Sequence, residues 1–567
     1  MTTRGAGALG LTRRLLLHAA AAASVLPPLP ACAPPAAPLA GGWVGADAAR
    51  GHRLRDLAAL PAPALQRRAG VLVVGAGIAG LAAARTLIAA GLDDVQVFEL
   101  EDVAGGNSRG HAMGGIACPL GAHYLPVPGE HATEVIELLD EFGLRRIERG
   151  EAVYDERQLC HSPQERLYID GHWHDGLLPP LAALPAAQRG ATLAQYRQFA
   201  EAVEQAGGAR AFAMPTERAG WNDALAALDA QTFARWLDAN GFDAPALRWY
   251  LDYCCRDDYG AGAAQVSAWA GLHYFASRHG FHAPGDAAEE RDGLLTWPEG
   301  NGRLSRRLAD GLGARLHPAS VALRVTEQRD AVQLYVWNDG AQRVERWLAP
   351  QLVLATPLFV SARLLAEPPA ALREVAAQQR HAPWLVANLQ LRDALDDRPG
   401  APPSWDNVIY EAGPSGPMLG YVDAMHQSLN PVPGPTVLTA YWALGGDDDT
   451  QLRANRKRLL DTPWQDWAGA VVADLSRAHP DLASKLVRAD LMRYGHAMSI
   501  PTPGLRGSAA LRALAMPQPR MHYAHADLAG YSVFEEALYH GRRAAADVLR
   551  ADRARAAHQR GSANAST

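Results

Sequence analysis

Four apolar residues, Val71–Val74, run without a break into a glycine turn, then into the alanine-rich IAGLAAARTLIAAG, and the apolar pattern resumes at VQVFELE. An unbroken apolar strand, a turn, a helix and a second strand predict a βαβ unit at the start of a parallel sheet. From about Glu130 to Asp292 the chain reads as largely helical, interrupted by RLYIDGHWHDG, where Asp170-Gly171 between apolar runs predicts a hairpin. WPEGNGRLSRRLADGL then predicts a glycine turn entering a helix, and ASVALRV, VQLYVWNDGAQRVERWL and LVLATP predict strands with a turn at Asp339-Gly340. A second group of strands, WLVANLQL, NVIYEA, LGYVDA and TVLTAYWAL, precedes helices in the 450s to 480s. The last residues, Ala551–Thr567, are polar and small and read as a frayed tail.

The turn itself is Gly75-Ala76-Gly77-Ile78-Ala79-Gly80. Gly75 permits a tight turn, Gly77 lets the backbone approach a pyrophosphate and Gly80 allows close helix packing, so that phosphates lie at the positive end of the helix. Glu99 ends the second strand 24 residues after Gly75, where a carboxylate accepts ribose hydroxyls. That pattern predicts a dinucleotide site and suits NAD and FAD alike.

Gly105-Gly106-Asn107-Ser108-Arg109 follows Glu99, and with it the sequence resembles the amine-oxidase group of flavoproteins over most of Val71 to Leu549. WPEGNGRLSRRLADGL, LVLATP and YAHADLAGYSVFEEALYHGRRAA are similar to further segments of that family. The resemblance implies FAD, with Val321 against adenine, Asp527 against the ribityl chain and a helix N-terminus near the flavin carbonyl. It implies an α/β fold in which a Rossmann-like FAD domain, built from residues 67–129, 293–360 and 501–550, is interleaved with an α+β substrate domain of mixed sheet and helices, residues 130–292 and 361–500. Four departures stand out. Asn107 replaces the usual arginine, which leaves Arg109 as the arginine for phosphate. His525 replaces a glycine two residues before Asp527; it either tunes the flavin and exchanges protons or caps the loop. WLVANLQL has no lysine where many amine oxidases hold a water near flavin N5, and RYGHAMSIPTPG has no cysteine for a flavin link.

Hydride transfer to flavin N5 asks the protein chiefly for orientation. The first candidates for the substrate side are Tyr494, His496 and Met498 in RYGHAMSIP, whose alternation also suits a plain buried strand. Tyr531 and Phe534 follow Asp527 and form either a cavity wall or core. Trp405, Asp406, Asn407, Tyr410 and Tyr421 lie on substrate-sheet strands. Asp257 and Asp258 in CCRDDYG either attract a cationic amine or, as the composition favours, end a solvated helix; adjacent Cys254 and Cys255 read as small core residues rather than a redox pair. His172-Trp173-His174 lacks neighbouring acids or thiols, so no metal site is expected, and no serine-histidine-acid elbow is present. The reading is an FAD-dependent oxidoreductase that takes a hydride from a C–N or C–C bond of a small organic substrate and passes electrons to oxygen or a quinone. Two alternatives stand beside it: a desaturase or isomerase of an apolar molecule, and a cofactor-binding partner or assembly protein without turnover.

Composition narrows the setting. The chain has 567 residues, 48% hydrophobic, enough for a large core, and a formal charge of −6 with no basic block between Gly70 and Leu549, which argues against nucleic acid. Of its 54 basic residues only Lys457 and Lys485 are lysines. Thr12-Arg13-Arg14-Leu15-Leu16-Leu17 and the short apolar run to Leu26 resemble a twin-arginine signal within residues 1–33, which predicts export through the Tat machinery to the periplasm. Leu29-Pro30-Ala31-Cys32 resembles a lipoprotein box with an unusual proline, giving a possible lipid anchor at Cys32, while Ala31-Cys32-Ala33 equally suits plain cleavage. Residues 34–66, rich in Pro, Ala and Gly, read as a linker.

Overall fold

The structure, a computed structural model, describes residues 39–57, 59–206, 211–285, 293–410, 418–428 and 432–564. The twin-arginine segment and Cys32 lie outside the described residues.

Val71–Val74, buried at every position, forms the middle of a parallel sheet with the order Leu316–His317, Val95–Phe98, Val71–Val74, Gln351–Leu354, Met521–Tyr523. A strand covered on both faces has no polar side to alternate with, which is why its sequence is continuously apolar. Helix Ile78–Ala89 follows the turn and packs on the C-terminal helix Phe534–Asn564 at backbone distance: a Cβ on Gly541 would lie 2.2 Å from the Ala79 carbonyl oxygen. Beside this sheet the strands Ser320–Glu327, Val332–Asn338 and Arg343–Ala349 make an antiparallel meander.

The second large sheet runs from Leu486–Ile500 through Arg380–Leu391, Thr436–Ala443, Met418–Asp423, Asp406–Ile409 and Glu165–Ile169 to His172–Asp175. Its last two strands are the expected hairpin, with Asp170 at φ 46° and Gly171 at φ 85°, the left-handed pair that a two-residue turn requires. Helices Arg189–Gln205, Phe233–Ala239, Pro245–Tyr259 and Ala268–Tyr274 share one apolar core with this sheet.

Two sequence expectations are corrected. The described residues between Gly41 and Gln66 are not a linker: Leu65–Arg68 extends the meander by pairing parallel with Arg343–Ala349, and Arg50, on helix Ala48–His52, holds Asp102 and Asp339 at 3.1 Å each. Local Pro and Gly content reports breaks in the chain and is blind to such long-range ion pairs. The tail is helical through Asn564, because Ala and Arg are strong helix formers and an Arg555–Asp552 pair supports the turn.

Candidate active site

Parallel strands end together, so the residues after Val74, Phe98, Leu354 and Tyr523 line one carboxyl edge, the usual place for a ligand in such a sheet. Here that edge opens on a cavity of about 510 Å³. Gly75, at φ 98°, turns tightly under the Ala355 carbonyl, where a Cβ would fall 2.5 Å from oxygen. Gly80 is tighter still, its absent Cβ lying 1.8 Å from the Gly75 oxygen. Gly105 donates its N–H to the Ala76 carbonyl at 2.8 Å and Gly106 rests on Gly77, so the two glycine pairs form a single floor.

That floor fits a dinucleotide. The helix begins at Gly77 with no side chain capping it, so the N–H groups of its first turn are free for an anion, and Gly77, Ile78 and Ala79 line the cavity. Glu99 lines it too, 7% exposed, accepting the Ala76 N–H at 2.8 Å and the Glu101 N–H at 3.0 Å; burial raises its carboxyl above the ordinary value. Val321, Asn107, Ser108 and Phe534 complete the nucleotide side.

Arg109 does not reach the cavity. Its guanidinium donates to the carbonyls of Gly106 at 3.0 Å and Gly45 at 2.9 Å, bracing the glycine floor instead of a phosphate. Asp527 is also set back, fully buried, with its carboxylate accepting the Leu358 N–H at 2.9 Å and facing His381 at 3.1 Å and His525 at 3.2 Å. Those two histidines hold it well below the usual carboxylate range in spite of burial. Both rings line the cavity, so the acid acts through them.

Of the other candidates, Tyr494, His496 and Met498 line the cavity. The Tyr494 hydroxyl donates to the Leu120 carbonyl at 2.8 Å, and burial lowers the His496 imidazole to about 3, leaving it neutral. Tyr531 stands behind the wall: it is fully buried and donates to Glu536 at 3.0 Å beside His273. Trp405, Asp406, Asn407, Tyr410 and Tyr421 are likewise absent from the lining. Trp405 packs edge-on to Tyr124, 5.8 Å away, while Asn407 and Tyr421 serve the buried Arg166.

Sequence reasoning missed His123, Tyr124, Arg278, Trp384 and Tyr441, all on the lining. His123 stacks on Tyr441 at 4.4 Å and is pushed down to about 3 by burial, so this wall is aromatic and uncharged. Residues scattered over four segments of the chain carry no local signal.

Asp257 and Asp258 are the main correction. Helix Pro245–Tyr259 ends in the interior, because Gly260, at φ 75°, turns the chain against Trp384 and Ala382, and both acids face the cavity. Asp258, 5% exposed, receives Arg278 on both oxygens at 3.1 Å, and Arg278 also faces Glu535 at 3.9 Å. No cation among the described residues is hydrogen-bonded to Asp257, and Arg278 acts on it only at longer range. Burial first, then Asp258 and Glu165, raise its carboxyl to about 7. Asp406, paired in register with Glu165, is pushed up by burial and by Asp257. Cys254 and Cys255 on the same helix are buried free thiols.

Residues 78–549 match the family described as flavin containing amine oxidoreductase. Over 87 residues the chain is 42% identical to a putrescine oxidase from Kocuria rosea, a stretch covering 15% of this chain and 17% of that relative's length. Among solved structures, putrescine oxidase bound to putrescine has a TM-score of 0.59 and 19% identity, covering 86% of this chain and 100% of that one. Cyclohexylamine oxidase from Brevibacterium oxydans has a TM-score of 0.59 and 20% identity over 85% of this chain and 99% of its own. A fatty acid isomerase from P. acnes, at 0.59 and 16%, covers 84% and 97%. At these identities the structural likenesses show a common fold. The match over most of the chain, on a glycine floor and a buried ribose acid suited to a dinucleotide, makes this protein a member of the flavin-containing amine oxidoreductase family and an FAD-dependent oxidoreductase.

Proposed function

We propose that the protein oxidises the C–N bond of a small cationic amine. One observation carries this: Asp257, half-buried and with no cation hydrogen-bonded to it among the described residues, faces the cavity. A primary amine enters from water as an ammonium, and taking it into an aromatic cavity costs desolvation that a buried opposite charge offsets. Arg278 is already matched by Asp258 and Glu535, which leaves Asp257 to receive the ammonium. A carboxyl with an affinity near pH 7 can also accept the ammonium proton, and the neutral amine is the form whose C–H bond gives up a hydride. FAD supplies the hydride acceptor. His123 and Tyr441 orient the substrate and keep water out.

A second reading, an isomerase or desaturase of an apolar carboxylic acid, gains nothing from these acids, since an anionic substrate would be repelled by them. Anaerobic mixing with diamines, monoamines, amino acids and polyunsaturated fatty acids, followed by flavin bleaching, tests the choice. Bleaching by primary amines is expected; bleaching by fatty acids alone overturns the proposal. Comparing turnover in air with turnover on an artificial quinone identifies the electron acceptor. The proposal also includes export through the twin-arginine route, supported by Thr12–Leu17. Mature protein from a Tat-competent bacterium that keeps Arg13 and Arg14 would contradict it.

A further inference from the structure

FAD brings two phosphate charges into this cavity, and the usual counter-ions are missing. Arg278 is the one guanidinium among the described lining residues, and it is held by Asp258 and Glu535; no lysine lines the cavity, and Arg109 is spent on two backbone carbonyls. Four histidines remain: His123, His381, His496 and His525. Burial leaves His123 and His496 neutral.

His525 is placed differently. Along the carboxyl edge Glu99 leaves the strand on one side of the Gly75 turn, and His525 follows the strand two places away on the other, about 10 Å off at the usual strand spacing. With the ribose acid on the first side, this is the flavin side of the diphosphate. The ring is seated by Asp527: Nδ1 accepts the Asp527 N–H at 3.1 Å and stands 3.2 Å from its Oδ1. Accepting the Asp527 N–H requires a bare Nδ1, which puts the neutral ring's proton on Nε2, and the protonated ring carries a hydrogen on both nitrogens, so Nε2 is a donor in each of these two states. Among the described residues nothing accepts that hydrogen. Across the carboxylate, His381 donates from Nε2 to both oxygens at 3.1 Å.

We propose that His525, seated by Asp527 and paired across it with His381, supplies the cationic hydrogen bond to the flavin-side phosphate of FAD that no arginine of this cavity provides. Protonation switches Nδ1 from acceptor to donor without moving the ring, and would leave Nε2–H free to hold a phosphate in the cavity that the ring lines. Other charged and titratable groups bear on the pair: His540 from the C-terminal helix, His496 from the neighbouring strand, 6.3 Å from His381, and Arg456, which binds the His381 carbonyl at 2.6 Å. Burial keeps His540 and His496 neutral and Arg456 opposes a further positive charge, so Asp527 and the phosphate together are what stabilise the cation. The assignment stands whatever the substrate proves to be.

Phosphorus NMR of the flavin-loaded enzyme from about pH 6 to about pH 9 reads the contact directly. One of the two diphosphate resonances should titrate while the other stays still. His525→Gln should abolish that step and weaken FAD binding about tenfold, while His525→Lys, a permanent cation, should keep the flavin and show no step. If His525→Gln does not accumulate folded, the wild-type titration and His525→Lys decide alone. A wild-type spectrum in which neither resonance moves, or a step that survives in either variant, overturns the assignment.

Discussion

Two parts of the same cavity are built by different means. On the nucleotide side the ligand surface is backbone: glycines at 75, 77, 80, 105 and 106 bring main-chain atoms within van der Waals reach, and the free N–H groups of one helix start supply the polarity. On the amine side the surface is side chain: Asp257 from one helix, Tyr441 from a sheet strand and His123 from a loop meet only because the fold gathers them. A backbone site fails when a residue gains an atom. A side-chain site fails when it loses one.

The largest effect should follow from breaking the first rule. Gly80→Ala places a methyl where 1.8 Å separates it from the Gly75 oxygen, so the turn must open or the helix must retreat from Ala355. Overpacking of this kind costs about 3 kcal/mol or more, and the purified variant should carry little flavin, read from the visible band against protein absorbance. Full flavin content in Gly80→Ala would mean that the floor is pliable and the distinction between the two walls is false.

Breaking the second rule should leave the colour and remove the substrate. Asp257→Asn keeps size and shape but deletes the charge; kcat/KM for a primary amine should fall about 100-fold, near 3 kcal/mol, with flavin content unchanged. A fall of less than about threefold would remove Asp257 from the amine site.

The same contrast explains what could be read in advance. The glycine turn, Glu99, the Asp170-Gly171 hairpin and the strands of both sheets are local patterns, in which each residue's neighbours in sequence are also its neighbours in space. The inward end of CCRDDYG is not. Two adjacent acids ending a helix look solvated, and only the packing of Gly260 against Trp384, more than a hundred residues away, turns them into the cavity. Arg109 misled for a related reason: its sequence position suits a phosphate, and two carbonyls, one of them Gly45 from the presumed linker, claim its donors first. His381, which completes the pair across Asp527, lies on a strand 146 residues earlier and has no motif around it.

A pH series sharpens the amine side. Asp257 binds its proton more tightly folded than unfolded, so it favours the folded state most at low pH, and that advantage is lost as pH rises from the ordinary aspartate range through about 7. Asp257→Asn should therefore melt a few degrees higher than wild type at pH 8 and match it at pH 4, while the wild-type KM for amines falls as pH rises through about 7. Equal melting offsets at both pH values would show that the carboxyl is not buried in its ionised form.

The smallest effect should come from Tyr531, which the sequence leaves open between a cavity wall and core and the structure places behind the wall. Its hydroxyl donates to Glu536, which also accepts the Thr216 N–H at 2.7 Å and whose second oxygen has no hydrogen-bond partner among the described residues. Tyr531→Phe removes one donor from a buried carboxylate, a loss of about 1 kcal/mol. Burial raises the Glu536 carboxyl, so it holds its proton to higher pH than an exposed glutamate does, and the deficit should be larger at pH 8, where the ionised form wants the donor, than at pH 5. Flavin content and the rate of bleaching by amines should stay within about twofold of wild type. A tenfold slower bleaching step would return Tyr531 to the reacting surface and erase the line drawn between a wall that touches substrate and the packing that supports it.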